Sequence, residues 1–258
     1  MKPAPRAIVL GALDPASALA WDEAIARSSL DRPALLLWRT QAAVVIGRFQ
    51  RADWEIDAGA CARHGVRVWR RFTGGGAVLI DPGTLCVALA WPAGHAWAAE
   101  GVPEMYRPLL NGIVRACRAK GVNASRDERT VRVDDRKVSG IAAHRGRAGM
   151  LVHGTLLIDA DLDVLRECLA GRRDGDLEGR PRPAPSRPDS VANVAGEGWE
   201  TAMIEAFGAE PGDPDSATES AMRVLRAQKY YDPAWHAGSW SNVTAPEVRA
   251  LLGPATSE

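Results

Sequence analysis

The chain has 258 residues, 46% apolar, 25% charged and 6% aromatic, a soluble globular profile that excludes a disordered or membrane-embedded protein. Its 32 basic side chains offset 32 acidic ones, so no global field gathers nucleic acid or an anionic membrane, and an anionic ligand has to be caught locally. The four cysteines, Cys61, Cys86, Cys117 and Cys168, lack CxxC spacing, which excludes a stapled secreted domain or a zinc ribbon and reads as reduced cytoplasmic thiols.

Lys2 and Arg6 ahead of Ala7-Ile8-Val9-Leu10 imitate a secretory signal, but the apolar run stops at Asp14-Pro15. No stretch approaches the ~18 apolar residues that span a bilayer, so the chain reads as cytosolic. Ile8 to Leu13 is a first strand, and Asp14-Pro15 caps a helix to Arg27, since Asp accepts free N–H groups and Pro at N1 has none to waste. Leu35 to Trp38 and Ala43 to Gly47 are short apolar runs around a polar Arg39-Thr40-Gln41, and predict a hairpin. Helix is expected over Ala52 to His64 and strand over Val66 to Trp69. Gly74-Gly75-Gly76 then breaks the chain before strands at Ala77 to Ile80 and Leu85 to Trp91. A helix over Pro103 to Lys120 ends on Gly121 as C′ residue. Strands at Val131 to Val133, Lys137 to Ala143 and Met150 to Ile158 precede a short helix opened by Asp161-Leu162, with Leu165 and Leu169 on one face. Gly171 to Ser190 reads as a long Gly/Pro/Arg loop. Helices follow at Glu197 to Phe207, Ser216 to Lys229 and Pro246 to Leu252. Strands interleaved with helices, without regular βαβ alternation, predict an α+β fold on mixed, mostly antiparallel sheets, with residues 1–258 as one unit.

Three constellations carry chemistry. In Arg70-Arg71-Phe72-Thr73-Gly74-Gly75-Gly76 two cations lead into three residues without a Cβ, so main-chain N–H groups can approach a phosphate or carboxylate closely. A tight turn beside a solvated basic pair accounts for the same residues, and the pattern is neither a P-loop nor a GxGxxG fingerprint. Asp134-Asp135-Arg136-Lys137-Val138-Ser139-Gly140 places Lys137 at a strand end beside a glycine, suited to a carboxylate or phosphate, although an ordinary surface lysine also fits. His153-Gly154-Thr155 lies inside an apolar run, where a hydrogen-bonded core histidine is the competing reading.

Taken in order, Leu36-Leu37-Trp38-Arg39, Val44-Val45-Ile46-Gly47-Arg48, the glycine segment through Val78, Arg136-Lys137-Val138-Ser139-Gly140 and His153-Gly154-Thr155-Leu156-Leu157 closely resemble the lipoate-protein ligase family. The resemblance is strongest over residues 35–169. It continues through Ser190-Val191-Ala192-Asn193-Val194 and Trp235-His236-Ala237-Gly238. It implies the α+β catalytic fold shared with biotin ligases and a two-step reaction: lipoate and ATP, with Mg2+, give lipoyl-adenylate and pyrophosphate, and a lysine of a lipoyl-acceptor protein domain then takes the acyl group. By the same resemblance Lys137 is the catalytic lysine. Arg71, Gly76, Ala77, Val78, Leu79 and Lys137 bind nucleotide. Gly47, Arg48, Gly74, Gly75, Lys137, Ser139, Gly140, His153 and Gly154 bind lipoate. Metal ligands are not identified.

The sequence departs from the family pattern where Ile80-Asp81 stands for His-Asp. The family's Asn-Asp pair before the central lysine falls here on Arg129 and Thr130, with Asp127 and Glu128 the nearest acids after a two-residue shift. Longer ligases continue into an accessory domain that this chain lacks, which implies a small accessory ligase subunit as partner. No nucleic-acid or membrane partner is expected. Two alternatives stand beside the ligase: an octanoyl or lipoyl transferase working through a thioester, for which no cysteine lies between Ala124 and Arg136, and a catalytically silent lipoyl-binding module.

Overall fold

The computed structural model describes residues 3–97, 101–169, 190–238 and 246–254. The expected Gly171 to Ser190 loop lies, apart from Ser190, outside them. Strand β1 (Arg6–Leu13) leads into α1 (Pro15–Arg27), where the Asp14 carboxylate accepts from the Ser17 amide at 3.0 Å and Pro occupies the first turn. Strands β2 (Ala34–Thr40) and β3 (Ala43–Ile46), helices α2 (Ala52–Glu55) and α3 (Ala58–Arg63), and strands β4 (Arg67–Arg70), β5 (Val78–Ile80) and β6 (Thr84–Pro92) follow. Helix α4 (Val102–Ala119) ends against Gly121, whose φ of +77° is the left-handed conformation expected of a C′ glycine. A meander of β7 (Ala124–Arg126), β8 (Thr130–Val133), β9 (Arg136–Arg145) and β10 (Gly149–Leu157) then precedes α5 (Leu162–Cys168), α6 (Trp199–Phe207), β11 (Glu210–Pro211) and α7 (Ser216–Leu225). A π-helical turn (Arg226–Tyr230), α8 (Pro233–Ala237) and α9 (Pro246–Leu251) complete the order.

Eight strands form one sheet in the order β11-β1-β2-β6-β10-β9-β8-β7, parallel at the β11/β1 and β1/β2 pairs and antiparallel elsewhere. Three form a second, β4-β3-β5. The expected hairpin of the second and third strands is therefore not formed, because the chain crosses between sheets at Gln41-Ala42. Both strands are apolar and buried along nearly their whole length rather than alternating, so each sits centrally with a partner on either side. The expected helix over Ala52 to His64 breaks at Ile56, where Asp57 restarts it by accepting from the Ala60 amide at 2.7 Å. That over Ser216 to Lys229 widens into the π turn after Leu225.

Both faces of the large sheet are covered. Leu35, Leu37, Val87 and Leu89 pack under α4 and α6 against Ile113, Trp199 and Met203. Leu36, Trp38 and Ala88 point the other way, against Trp21 and Ile25 of α1 and Tyr230 of the π turn. The small sheet has its own core with α3, α5 and α9.

Candidate functional site

A cavity of about 530 Å3 opens between the large sheet, α1 and the glycine segment that leads into β5. Small residues of the sheet make the room. In the register His153 stands between Ala88 and Ala142, and Gly154 between Val87 and Ile141. A methyl group on Gly154 would meet the Gly140 carbonyl oxygen at 2.7 Å.

The glycine segment is shaped by the two arginines before it. Arg71 turns its guanidinium inward, donating to the carbonyls of Val45 (3.1 Å), Gly74 (2.6 Å) and Gly76 (2.8 Å) and to the Thr73 hydroxyl (3.0 Å). Burial lowers its pKa to about 10, partly opposed by Asp22, so it stays charged at neutral pH in the cavity wall. Gly75 crosses close to Gly47, and a Cβ on Gly47 would fall 2.2 Å from the Gly75 oxygen. Two backbones meet there with no space for a side chain. Arg70 is buried on the far side. It donates to the carbonyls of Gly47, Arg48, Gln50, His236 and Ala237, while His236 Nδ1 accepts from the Arg70 amide at 3.0 Å and Trp235 donates to its carbonyl at 2.8 Å. This arginine ties the chain after β3 to α8.

At one end of the cavity runs a chain of polar side chains. Asp22 of α1, 1% exposed, accepts from Trp38 Nε1 at 3.0 Å and from His153 Nδ1 at 2.6 Å. His153 Nε2 pairs with the Thr73 hydroxyl at 2.8 Å, and Thr73 in turn accepts from Arg71. Because Nδ1 donates to a carboxylate, Nε2 of the neutral ring accepts from Thr73. The imidazole is thereby fixed as a polar stop at the end of an otherwise apolar slot.

Lys137 lies at the other end. Its side chain folds over Gly140 so closely that a Cβ there would sit 2.7 Å from both Cε and Nζ. Burial first, then Arg132, lowers its pKa, with Asp127 opposing. Lys137 also lines a smaller adjoining cleft with Ala77, Val78, Leu79, Ser139 and Leu165, and so stands where the two spaces join. Ser139 is buried with no partner for its hydroxyl among the described residues. The segment from Ser190 docks alongside. Val191 bridges to Lys137, the Ala192 amide donates to the Lys137 carbonyl at 3.1 Å, and Asn193 clamps the main chain of Ala160 in both directions.

Of the residues singled out in the sequence, Arg71, Gly74, Gly75, Gly76, Ala77, Val78, Lys137, Gly140, His153 and Gly154 come together on this one cavity. Leu79 and Ser139 face the smaller cleft, Gly47 braces the loop from beneath, and Arg48 holds the loop through its amide to the Thr73 carbonyl at 2.8 Å. Asp22, Trp38, Thr73 and Cys86 also line or support the cavity and were not marked as site residues. An Asp-Glu pair inside the apolar helix was the available signal, since a buried carboxylate needs a partner. Cys86 reaches the cavity wall, but burial and the nearby Asp22 carboxylate push its thiol well above the ordinary value. No group of three or more His, Cys, Asp or Glu able to hold a metal occurs among the described residues, and no described helix is long and apolar enough to cross a membrane.

Residues 14–209 match the lipoyl protein ligase A/B catalytic domain family. A lipoate-protein ligase A subunit 1 from Thermoplasma acidophilum is 29% identical over 245 residues, covering 85% of this chain and 91% of that protein. The structure of a lipoate-protein ligase A bound with ATP aligns with a TM-score of 0.77 at 26% identity, over 92% of this chain and 99% of the other. That of an archaeal bipartite lipoate protein ligase from the same Thermoplasma species, described with its E2 lipoyl domain, aligns with a TM-score of 0.79 at 27% identity, over 94% and 99%.

Proposed function

The chain belongs to the lipoyl protein ligase A/B catalytic domain family, and from that premise we propose that it is an enzyme that ligates lipoate to a lysine of an acceptor protein, using ATP through a lipoyl-adenylate. The observation that carries the reading is the position of Lys137, a half-buried cation at the junction of an apolar slot and a second cleft. Activation joins one anion, the lipoate carboxylate, to another, the α-phosphate, so the attack needs fixed positive charge where the two meet. Lys137 supplies it, and the segment Gly76-Ala77 lines the same cavity. The dithiolane and alkyl chain fill the slot between Val45, Trp38 and the sheet, ending at His153. The cleft edged by Val78, Leu79 and Ser139, about 40 Å3, is too small for adenosine and meets at most an edge of the nucleotide beside Lys137. As attack proceeds, the carboxylate oxygen bonds to the α-phosphorus and the bond to the β-phosphate breaks, releasing pyrophosphate. The acceptor amine then displaces AMP from the mixed anhydride, with Lys137 still holding the charge that develops.

Mg2+ fits here only as a companion of the nucleotide. The carboxylates nearest the cavity, Asp22 and Asp127, are already engaged by Trp38 and His153 and by the turn after Asp127. The bipartite relative supports a small accessory subunit as partner, together with an acceptor lipoyl domain. Full transfer by this chain alone would remove the need for a subunit. A thioester mechanism is disfavoured because all four cysteines are buried and none adjoins Lys137. Intact mass of an apo acceptor domain, incubated with the chain, lipoate and accessory subunit, tests the reading. A lipoyl mass increase only with ATP supports it, and an increase without ATP overturns it.

A further inference from the structure

The wall of the cavity beyond Lys137 is built from β8 and the turn before it, and it presents Arg129, Thr130 and Arg132. A register shift between Val131 and Arg132 sets Arg132 opposite Lys137, where an unbroken ladder would place Val138. Two cations are thus cross-strand neighbours, an arrangement that costs free energy until an anion joins them. Arg132 is held in place by the Asp127 carboxylate at 3.3 Å and the Asp135 carbonyl at 2.9 Å. Arg129 is exposed and has no ion-pair partner among the described residues. Asp127 offers nothing to a metal from this wall, because it already accepts from the amides of Arg129 (2.8 Å) and Thr130 (2.7 Å) and from the Thr130 hydroxyl (2.6 Å). Protein-held Mg2+ uses one or two available carboxylates beside substrate phosphates. None of the residues that this wall presents to the cavity is a carboxylate, so the lining does not fit a metal held by the chain.

We propose that Arg129 and Arg132 bind the β- and γ-phosphates of the nucleotide, and the pyrophosphate that leaves. The proposal rests on the nucleotide reading given above and goes beyond it by fixing which end of the cavity takes the polyphosphate. A planar guanidinium meets two phosphate oxygens at once, and its charge does not depend on a bound ion.

Titration calorimetry of the intact chain with ATP, AMP and inorganic pyrophosphate, each with Mg2+ and with EDTA, tests it against an Arg129→Gln/Arg132→Gln double variant whose melting temperature is measured alongside. The expected result is a loss on the order of tenfold to a hundredfold in affinity for ATP and pyrophosphate, AMP binding within about twofold, and wild-type ATP binding that survives EDTA. Unchanged ATP affinity in the double variant, an equal loss for AMP, or wild-type ATP binding abolished by EDTA would each overturn the assignment. Wild-type protein that binds neither ATP nor AMP would instead remove the nucleotide reading itself.

Discussion

Lowering the pH from 7 to 4 should loosen the attachment of α8 to the glycine segment through one residue, His236. Its ring is fully buried, with Nδ1 accepting from the Arg70 amide and Nε2 donating to the Tyr230 carbonyl at 2.9 Å, so only the neutral form satisfies both contacts. Burial drives its pKa down from 6.5 to about 4; the Tyr230 carbonyl and Asp232 oppose this, while Arg70 and Arg67 add to it. Above pH 6.5 the ring is neutral whether folded or unfolded, and the full stability is present. As pH falls below 6.5 the unfolded chain takes up the proton first, and stability is lost progressively down to about 4. That displacement corresponds to roughly 3 kcal/mol in all, of which about 2 kcal/mol is gone by pH 5. Urea denaturation across this range, compared with His236→Gln, isolates the contribution, because glutamine can accept from Arg70 and donate to Tyr230 without titrating. The wild type should lose about 2 kcal/mol relative to the variant between pH 7 and 5. Parallel stability profiles for the two proteins would refute the reasoning.

Three further outcomes follow from the site. Lys137→Ala should reduce adenylate formation by about a hundredfold to a thousandfold, the effect of removing one preorganised donor. Its melting temperature should hold, since the lysine is crowded by Arg132 rather than paired; a pyrophosphate-release assay and a melting curve decide, and wild-type turnover removes Lys137 from the mechanism. Gly75→Val should both weaken binding of a non-hydrolysable lipoyl-adenylate analogue, because Gly75 lines the cavity, and lower stability, because φ is +89° and the new Cβ would sit 2.9 Å from Arg71 Nη2 and 3.3 Å from the Ala142 Cβ. Unchanged affinity by calorimetry would reduce the triple glycine to a turn. Replacing Cys61, Cys86, Cys117 and Cys168 together by alanine should preserve ATP-dependent lipoylation at a cost of ~1 kcal/mol of stability each, from small cavities. Loss of transfer in a well-folded cysteine-free protein, with an acyl adduct on the wild-type chain that forms without ATP, would restore the thioester mechanism.

The strands were legible because their apolar runs are short and bounded by Gly, Pro and Asp, and the ordered motifs of the glycine segment, Lys137 and His153 pointed to one family before any contact was known. Local pattern could not say which runs share a sheet. Ala43 to Ile46 and Leu35 to Trp38 look alike in sequence, and only their partners, β4 and β5 for one and β1 and β6 for the other, separate them. The inward turn of Arg71 was equally hidden. A cation before three glycines reads as an anion contact, yet most of its donors hold the loop's own carbonyls. Arg70 fits in sequence either a cation that neutralises an anion or half of a solvated basic pair, and it is neither, because its partners His236 and Ala237 lie more than 160 residues downstream, beyond the reach of any local rule. Asp22 is satisfied by His153, 131 residues away.

Adjacent carboxylates on α1 serve two masters. Asp22 aims the slot's histidine, while its neighbour Glu23, 0% exposed, is closed by Lys229 at 2.7 Å, by the Tyr230 hydroxyl at 2.6 Å and by Arg27. Burial alone would raise the Glu23 pKa, and these partners hold it below the ordinary value instead. A buried carboxylate stripped of its cation is strongly destabilising, by ~3–5 kcal/mol. For anyone building chimeras between ligases, α1 and the π turn are consequently one cassette, although 206 residues separate Glu23 from Lys229. Replacing α1 by the first helix of a relative without its matching 226–237 segment would remove Glu23 and leave the Lys229 ammonium and the buried Tyr230 hydroxyl without the carboxylate that closes them.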